Sequence, residues 1–404
     1  MGIVILIVSI LFFRERIKNE QKKDQLMLFS ALILYILFSL FLTWYLREVY
    51  LWPNGIPGSD LKKYYEGAVA LKNGTNYSNL ARISSTFEVS LAHFGYLAYI
   101  TFIAVTVLTP IIINLDISLE ILYIIQCIVA IIACLNIADF FCNNKIDKTN
   151  RWRVFWMLSL CTSVMQMSTL LMRDIWILFF ISLLMQECKK EDNSLWMSII
   201  LILVCFISRY YTLVITIPIL LGYKFNQKKT ATIVSLVVFG AFFAGQNLIN
   251  IIAKHIGIGW GYQYHFDLHS MASYIMFPSP FNQAYNVQHM NMTSYAFFGG
   301  NTEWIYYLLS CWNVFVFPVS IYGIYKSIKD KEGQDAALWG LIIINIAMLM
   351  CLFYNAVSSP RHKLLIVMSL AYFFKKGTES LSVLTRVLYF FIIAISLVII
   401  FAIA

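Results

Sequence analysis

Charge is what this chain has least of. Lysine, arginine, aspartate and glutamate together make up 13% of its 404 residues, against 60% hydrophobic residues, and about a quarter would be charged in an ordinary soluble domain. A water-soluble enzyme or nucleic-acid-binding domain is thereby excluded as the bulk of the chain. Polar intervals long enough to fold alone are also missing. The longest, residues 48–90 and 254–302, are too short and too aromatic for independent domains. The opening MGIVILIVSILFF has neither a basic leading region nor a small-residue cleavage site, so it reads as a first span rather than a signal peptide. No Cys-x-x-Cys pair occurs among the eight cysteines, most of which lie inside apolar runs and read as apolar filling. No internal repeat is visible.

What is present is a succession of apolar stretches from residue 2 to residue 404. They predict an all-α fold, a polytopic transmembrane helical bundle of about 11 to 13 spans forming a single domain over residues 1–404. A large first outer loop at 48–117 would carry juxtamembrane helices, and a second outer loop would lie at 254–302. The net charge of +9 is distributed in a way that points to the inner membrane face and not to nucleic acid. Six basic clusters hold 20 of the 30 lysines and arginines: Arg14 to Lys23, Lys145 to Arg153, Lys189 with Lys190, Lys224 to Lys229, Lys326 to Lys331, and Lys375 to Arg386. Placed in the cytoplasm, neighbouring clusters must be separated by an even number of crossings. Between Lys23 and Lys145, spans at 26–46 and 118–141 already satisfy that parity. The apolar stretch 91–113 is therefore expected as a juxtamembrane or re-entrant piece on the outer face.

Three arginines fall outside the clusters, within apolar surroundings: Arg173 in STLLMRDIWILF, Arg209 in VCFISRYYTLVI and Arg361 in VSSPRHKLLIV. Each stands where a hairpin should reverse on the outer side, at Arg173-Asp174, at Ser208-Arg209-Tyr210-Tyr211 and near Pro360-Arg361-His362-Lys363. A charge at membrane depth costs from a few to more than ten kcal/mol, so such residues usually line a wet cavity and mark a site. Guanidinium is also the group best shaped to hold phosphate oxygens in pairs. The apolar runs 195–207 and 364–374, 13 and 11 residues long, span only about 20 and 17 Å as helices against a hydrocarbon core of about 30 Å. Arg209 and Arg361 should therefore end in a recess open to the outside.

The outer loop contributes GIPGSDLKKYYEGAVALKNGTNYS, in which Ser59 or Asp60 can cap a helix. Asp60 is also a candidate general base above the arginines, and the two roles are compatible. The second loop offers HIGIGWGYQYHFDLHS and FPSPFNQAYNVQHM. Its rings and amides suit either glycan binding or an interfacial aromatic belt. His255, His265, His269 and His289 lack metal spacing, so no metal is assigned. The alternation His265, Asp267, His269 could at most clamp a divalent cation. Glu88 and Glu303 are further carboxylates with no neighbour that singles them out.

The order of these features resembles the GT-C glycosyltransferases, the polyprenyl-phosphate-sugar-dependent enzymes related to protein O-mannosyltransferases. Asp60, Tyr64, Ala68 and Gly74 stand in the family's order in the first outer loop, and Gly95-Tyr96-Leu97-Ala98 matches its surface segment. The span 118–141, the tip Arg173-Asp174, the turn at Arg209 with Tyr210, and Arg361-His362-Lys363 follow. The family's acidic pair is here Ser59-Asp60, its Gly-Tyr is not followed by proline, and Pro360 precedes Arg361 where the family has a proline after the arginine. The resemblance implies a cell-membrane, multi-pass, inverting glycosyltransferase working in cell-surface polysaccharide or glycan assembly. It implies a polyprenyl-phosphate- or diphosphate-linked sugar donor and a glycan acceptor as partners, with Asp60 catalytic. Tyr64, Arg173, Asp174, Arg209, Tyr210, Arg361, His362 and Lys363 would bind the substrate and its phosphate. The same features are similar to Wzy-type polymerases of lipid-diphosphate-linked repeat units. A flippase or transporter of lipid-linked sugars is the reading from a different class, disfavoured by the lack of two similar halves.

Overall fold

The computed structural model describes residues 2–48, 60–74, 91–107, 115–142, 147–169, 173–190, 195–245, 303–330, 333–354 and 360–382, with a few isolated positions beyond. Every regular element among these is helical. In chain order they are α1 (Gly2–Ile17), α2 (Lys22–Glu48), α3 (Asp60–Lys72), α4 (Leu91–Val107), α5 (Leu115–Phe141), α6 (Lys148–Ser159), α7 (Thr162–Thr169), α8 (Asp174–Lys189) and α9 (Leu195–Ser208). A 3₁₀ turn (Tyr210–Thr212), α10 (Leu213–Ile219) and a π-helical turn (Leu220–Lys224) follow. The remainder is α11 (Lys228–Ala244), α12 (Glu303–Lys329), α13 (Gly333–Tyr354) and α14 (Pro360–Ser380).

The apolar pattern dictates which helix goes where. α5 is apolar on every side, and a helix of that kind is stable only when surrounded. It forms the centre, packed by α1, α2, α6, α7 and α8, with Leu122, Ile125, Ala130, Leu135 and Ile137 wholly buried. α2 buries one stripe, Leu28, Ala31, Tyr35 and Leu42, while Leu26, Phe29, Ile33, Leu37, Phe41 and Trp44 stay exposed. α1, α9 and α11 likewise present large aliphatic side chains outward, among them Val8, Leu11, Leu203 and Val237. A continuous apolar exterior of that extent is not tolerated in water and needs lipid around it.

Within the described residues three helices are long and apolar enough to cross a membrane: Lys22–Trp44, Leu119–Phe141 and Gly333–Met350. The bent pair Ser163–Thr169 and Asp174–Lys189, turned by 117°, makes a fourth if it is one broken span. The sequence count of spans is higher than this count of the described residues; two of the predicted crossings fold as the short apolar helices Leu195–Ser208 and Leu213–Lys224, and the stretch expected at the outer face carries a third, Leu97–Thr106. A polar interruption ends two of these: Arg209 after Ser208, and Asn226, held in the left-handed region at φ 53°, after the π turn.

Glycines set two close approaches. A Cβ at Gly323 would lie 1.8 Å from the carbonyl oxygen of Phe373, and one at Gly377 would lie 2.0 Å from that of Val319. α12 and α14 therefore touch backbone to backbone, the small-residue packing that membrane helices favour. Gly74, placed in the first outer loop by the resemblance, has a local reason as well. With φ at 84° it terminates α3, its N–H donating to the Leu71 carbonyl at 3.1 Å.

The late turn needs correcting. Arg361, His362 and Lys363 were expected in a chain reversal, but they form the first turn of α14, which begins at Pro360. Proline's fixed φ and missing N–H suit the first helical position. Residues 355–359, which precede the helix, lie outside the described residues. The helix is 21 residues long, about 32 Å, and not the 11-residue run alone. Arg361 nonetheless stands only fourteen residues before Lys375, about 21 Å along the axis.

The basic clusters converge on one end of the bundle. Arg16 of α1 hydrogen-bonds Asn136 of α5 at 2.9 Å and pairs with Asp139, which also pairs with Arg151 of α6. Arg151 grips Glu20 with two bonds of 2.6 and 2.9 Å. Lys189 donates to the Asp139 carbonyl at 2.8 Å, Lys375 to that of Phe141 at 2.7 Å, and Lys224 to that of Lys190 at 3.3 Å. Lys148 closes on Asp24 at 2.7 Å and Lys228 on Asp335 at 2.9 Å.

Candidate functional site

At the opposite end of α8 two of the three arginines set in apolar surroundings meet. Arg173 sits at the N-cap position of α8 and Asp174 is its first residue. The helix is 16 residues long, so about 24 Å separates this end from Lys189 and the basic clusters. Arg209 follows the 14-residue α9, about 21 Å long, and a 3₁₀ turn carries the chain from it into α10. Both hairpins thus hold their tips at matching height. Arg173, Asp174 and Arg209 are 8%, 4% and 8% exposed, which removes the solvent that would otherwise screen their charges.

Their pairing differs from what adjacency suggests. The carboxylate of Asp174 lies 3.6 Å from the guanidinium of Arg209, on the neighbouring hairpin. Among the described residues Arg173 has no such pair, and its Nε and Nη1 are buried without a hydrogen-bond partner, as is the second oxygen of Asp174. Arg173 lies within electrostatic reach of Arg209, Tyr64, Asp174 and Tyr211. Among the described side chains, two like charges face one carboxylate. A buried polar group left unsatisfied costs about 1–3 kcal/mol, more when charged.

Aromatic side chains close the sides. Tyr64, one turn after Asp60 in α3, is 2% exposed. Its ring meets Tyr99 of α4 edge to face at 5.1 Å between centroids. The Tyr99 hydroxyl accepts from Gln126 of α5 at 3.1 Å and lies within reach of Tyr123 and Asp174. Arg209 stands 6.0 Å from the ring centroid of Tyr211, within cation–π range. α3, α4, α5, α8 and the Arg209 turn therefore converge on one polar layer.

Of the predicted residues, Tyr64, Arg173, Asp174 and Arg209 are brought together here. Asp60 opens α3 one turn before Tyr64, about 6 Å along the helix. The side chains of Asp60, Tyr210, Arg361, His362 and Lys363 lie outside what is described. The second loop, with His265, Asp267 and His269, lies wholly outside it. Among the described residues no group of three histidine, cysteine, aspartate or glutamate side chains could hold a metal ion. Sequence reasoning missed Tyr99, Tyr123 and Gln126, which are ordinary members of apolar helices until the fold turns them toward the arginines. Tyr211 was visible beside Arg209 and not singled out.

Comparison of the chain with family models, with curated proteins and with solved structures found no match. Function rests on the chemistry of this layer.

Proposed function

We propose that this chain is a polytopic membrane glycosyltransferase of the GT-C kind, taking its sugar from a polyprenyl-phosphate-linked donor on the outer face. The observation that carries the reading is Arg173, a buried guanidinium with two unpartnered nitrogens beside a second arginine. Such a group calls for an anion with paired oxygens, and a phosphate has that geometry. The arm lengths of about 21 and 24 Å fall short of a hydrocarbon core of about 30 Å. They support a recess below the outer surface, where the headgroup of a lipid-linked donor would enter from the side.

In the proposed reaction the bond from the sugar's anomeric carbon to the donor phosphate oxygen breaks as an acceptor hydroxyl of the glycan attacks. The bonding electrons leave on the lipid phosphate, and Arg173 and Arg209 stabilise the charge that develops there. The acceptor proton passes to a carboxylate, for which Asp60 is the candidate. Asp174 holds Arg209 in place, Tyr64 and Tyr211 flank the arginines, and Arg361, His362 and Lys363, in the first turn of α14, are further candidates for holding the donor phosphate. This chemistry belongs to assembly of a cell-surface polysaccharide or glycan by an enzyme resident in the cell membrane.

Purified protein in proteoliposomes, supplied with a polyprenyl-phosphate-linked sugar and a glycan acceptor, should release lipid phosphate and form a glycosidic product in equal amounts. Movement of intact lipid-linked sugar with no glycosidic product would replace the reading by a transporter. Product only from diphosphate-linked repeat units would replace it by a polymerase of the Wzy type.

A further inference from the structure

Asp174 engages one of its carboxylate oxygens and leaves the other over. Oδ1 faces Arg209 at 3.6 Å, while Oδ2 is buried with no hydrogen-bond partner. A buried acceptor left unpaired is most costly when it is charged. Arg173, the preceding residue, lies within electrostatic reach yet does not bond this oxygen. Tyr99 is left over in the complementary sense. Its hydroxyl oxygen accepts from Gln126 Nε2 at 3.1 Å, and among the described residues no acceptor takes the hydroxyl proton. The ring is fixed edge to face against Tyr64 at 5.1 Å and stacked on Phe102 at 6.3 Å between centroids, and Asp174 lies within its electrostatic reach. Tyr99 therefore offers a proton and Asp174 an acceptor, and the two do not bond each other.

A phosphodiester cannot serve both groups. It carries acceptors only, which suit the free nitrogens of Arg173, and its charge repels a carboxylate. A hydroxyl has both functions, since its oxygen accepts and its proton is donated. We infer that Tyr99 and Asp174 together hold a hydroxyl of the donor sugar, beside the phosphate at the arginines, so that the layer selects a glycosyl phosphate over a phosphodiester without a sugar. This inference rests on the reading of the layer as a phosphate site. A water molecule in the same place would satisfy both side chains but would not distinguish one lipid from the other.

Native mass spectrometry of the purified chain reads binding without any transfer assay. The probes are polyprenyl phosphates carrying glucose, mannose or galactose, and polyprenyl methyl phosphate, a diester of the same charge with no hydroxyl. The parent should hold at least one glycosylated lipid about ten to a hundred times more tightly than the methyl ester, the worth of a hydrogen bond to a charged group. Asp174→Asn should abolish that preference while holding the methyl ester as well as the parent does or better, because a negative charge has gone from beside the phosphate. Damage to the fold would instead weaken both lipids. Tyr99→Phe keeps the ring and its packing and should reduce the preference by about threefold to tenfold; it decides the matter where Asp174→Asn does not fold. Retention of neither lipid by the parent would remove the phosphate site and the inference with it. Equal retention of both by the parent, or an undiminished preference in the variants, would overturn the inference and leave the phosphate site standing.

Discussion

The two ends of α8 pose the same electrostatic problem and resolve it in opposite ways. At one end Arg151, 1% exposed, is held by Glu20 through paired bonds and by Asp139, which Arg16 shares. At the other, Arg173 is buried nearly as well, yet two of its nitrogens have no hydrogen-bond partner and another arginine is its strongest charged neighbour. Burying a charge is tolerable when good geometry repays desolvation. The first end meets that condition; at the second, among the described residues, Arg173 does not. A satisfied network belongs to the architecture. An under-satisfied one is what the proposed site requires, a place for a counter-charge supplied by the donor.

The largest test of that contrast is to remove one arginine from each end. Arg151→Ala strips Glu20 and Asp139 of their main partner and should cost about 3–5 kcal/mol, read as a large fall in the thermal unfolding temperature of detergent-solubilised protein or as loss of monodisperse material. Arg173→Met, apolar and similar in length, should leave the unfolding temperature unchanged or raised while abolishing transfer to the acceptor. Equal destabilisation by both would erase the distinction between the two ends.

Asp60→Asn is expected to lower turnover by about 10²–10⁴, the usual worth of a general base, with the folded fraction unchanged because an amide retains the shape. A loss of folded protein with normal turnover per folded molecule would make Asp60 a helix-start residue only. Arg361→Lys keeps a charge but loses the paired hydrogen bonds. Turnover should fall by about tenfold, and further in Arg361→Ala, with the melting curve little changed. Should both match the parent in turnover, the phosphate site rests on Arg173 and Arg209 alone.

The smallest effect concerns access. Ser208→Cys, beside Arg209, should react with a small aqueous thiol reagent added from outside and slowly with a bulky one. Six of the eight native cysteines, at 127, 134, 142, 161, 188 and 205, are buried, and with Cys311 and Cys351 changed to serine the background should be low. Labelling only from the cytoplasmic side would reverse the two ends and with them the whole comparison.

Much of this was legible in the residues. The shortage of charge and the apolar runs identify a helical protein suited to lipid, and the basic clusters converge on one end as their spacing required. The short run at 195–207 is a short helix, because a polar residue at Arg209 ends it. The pairing of Asp174 was not legible. Adjacency pointed to Arg173, but successive residues on a helix diverge by about 100°, so a neighbour in sequence is seldom a partner in space. Nor was the extent of α14, since Pro360 and the lysines that look like turn residues can sit in the ends of a longer helix.

By itself, then, the amino-acid order determined composition, helicity, the positions of the arginines and which segments carry positive charge. All of these follow from local chemistry and from a period of 3.6 residues. Only the tertiary structure decided that Tyr64, Tyr99, Arg173, Asp174, Arg209 and Tyr211 share one layer, and that Arg151 is satisfied where Arg173 is not. Those outcomes depend on which helices become neighbours and on the rotation of each about its axis. That choice is made by the packing of side chains from distant segments around α5, and no single stretch of the chain encodes it.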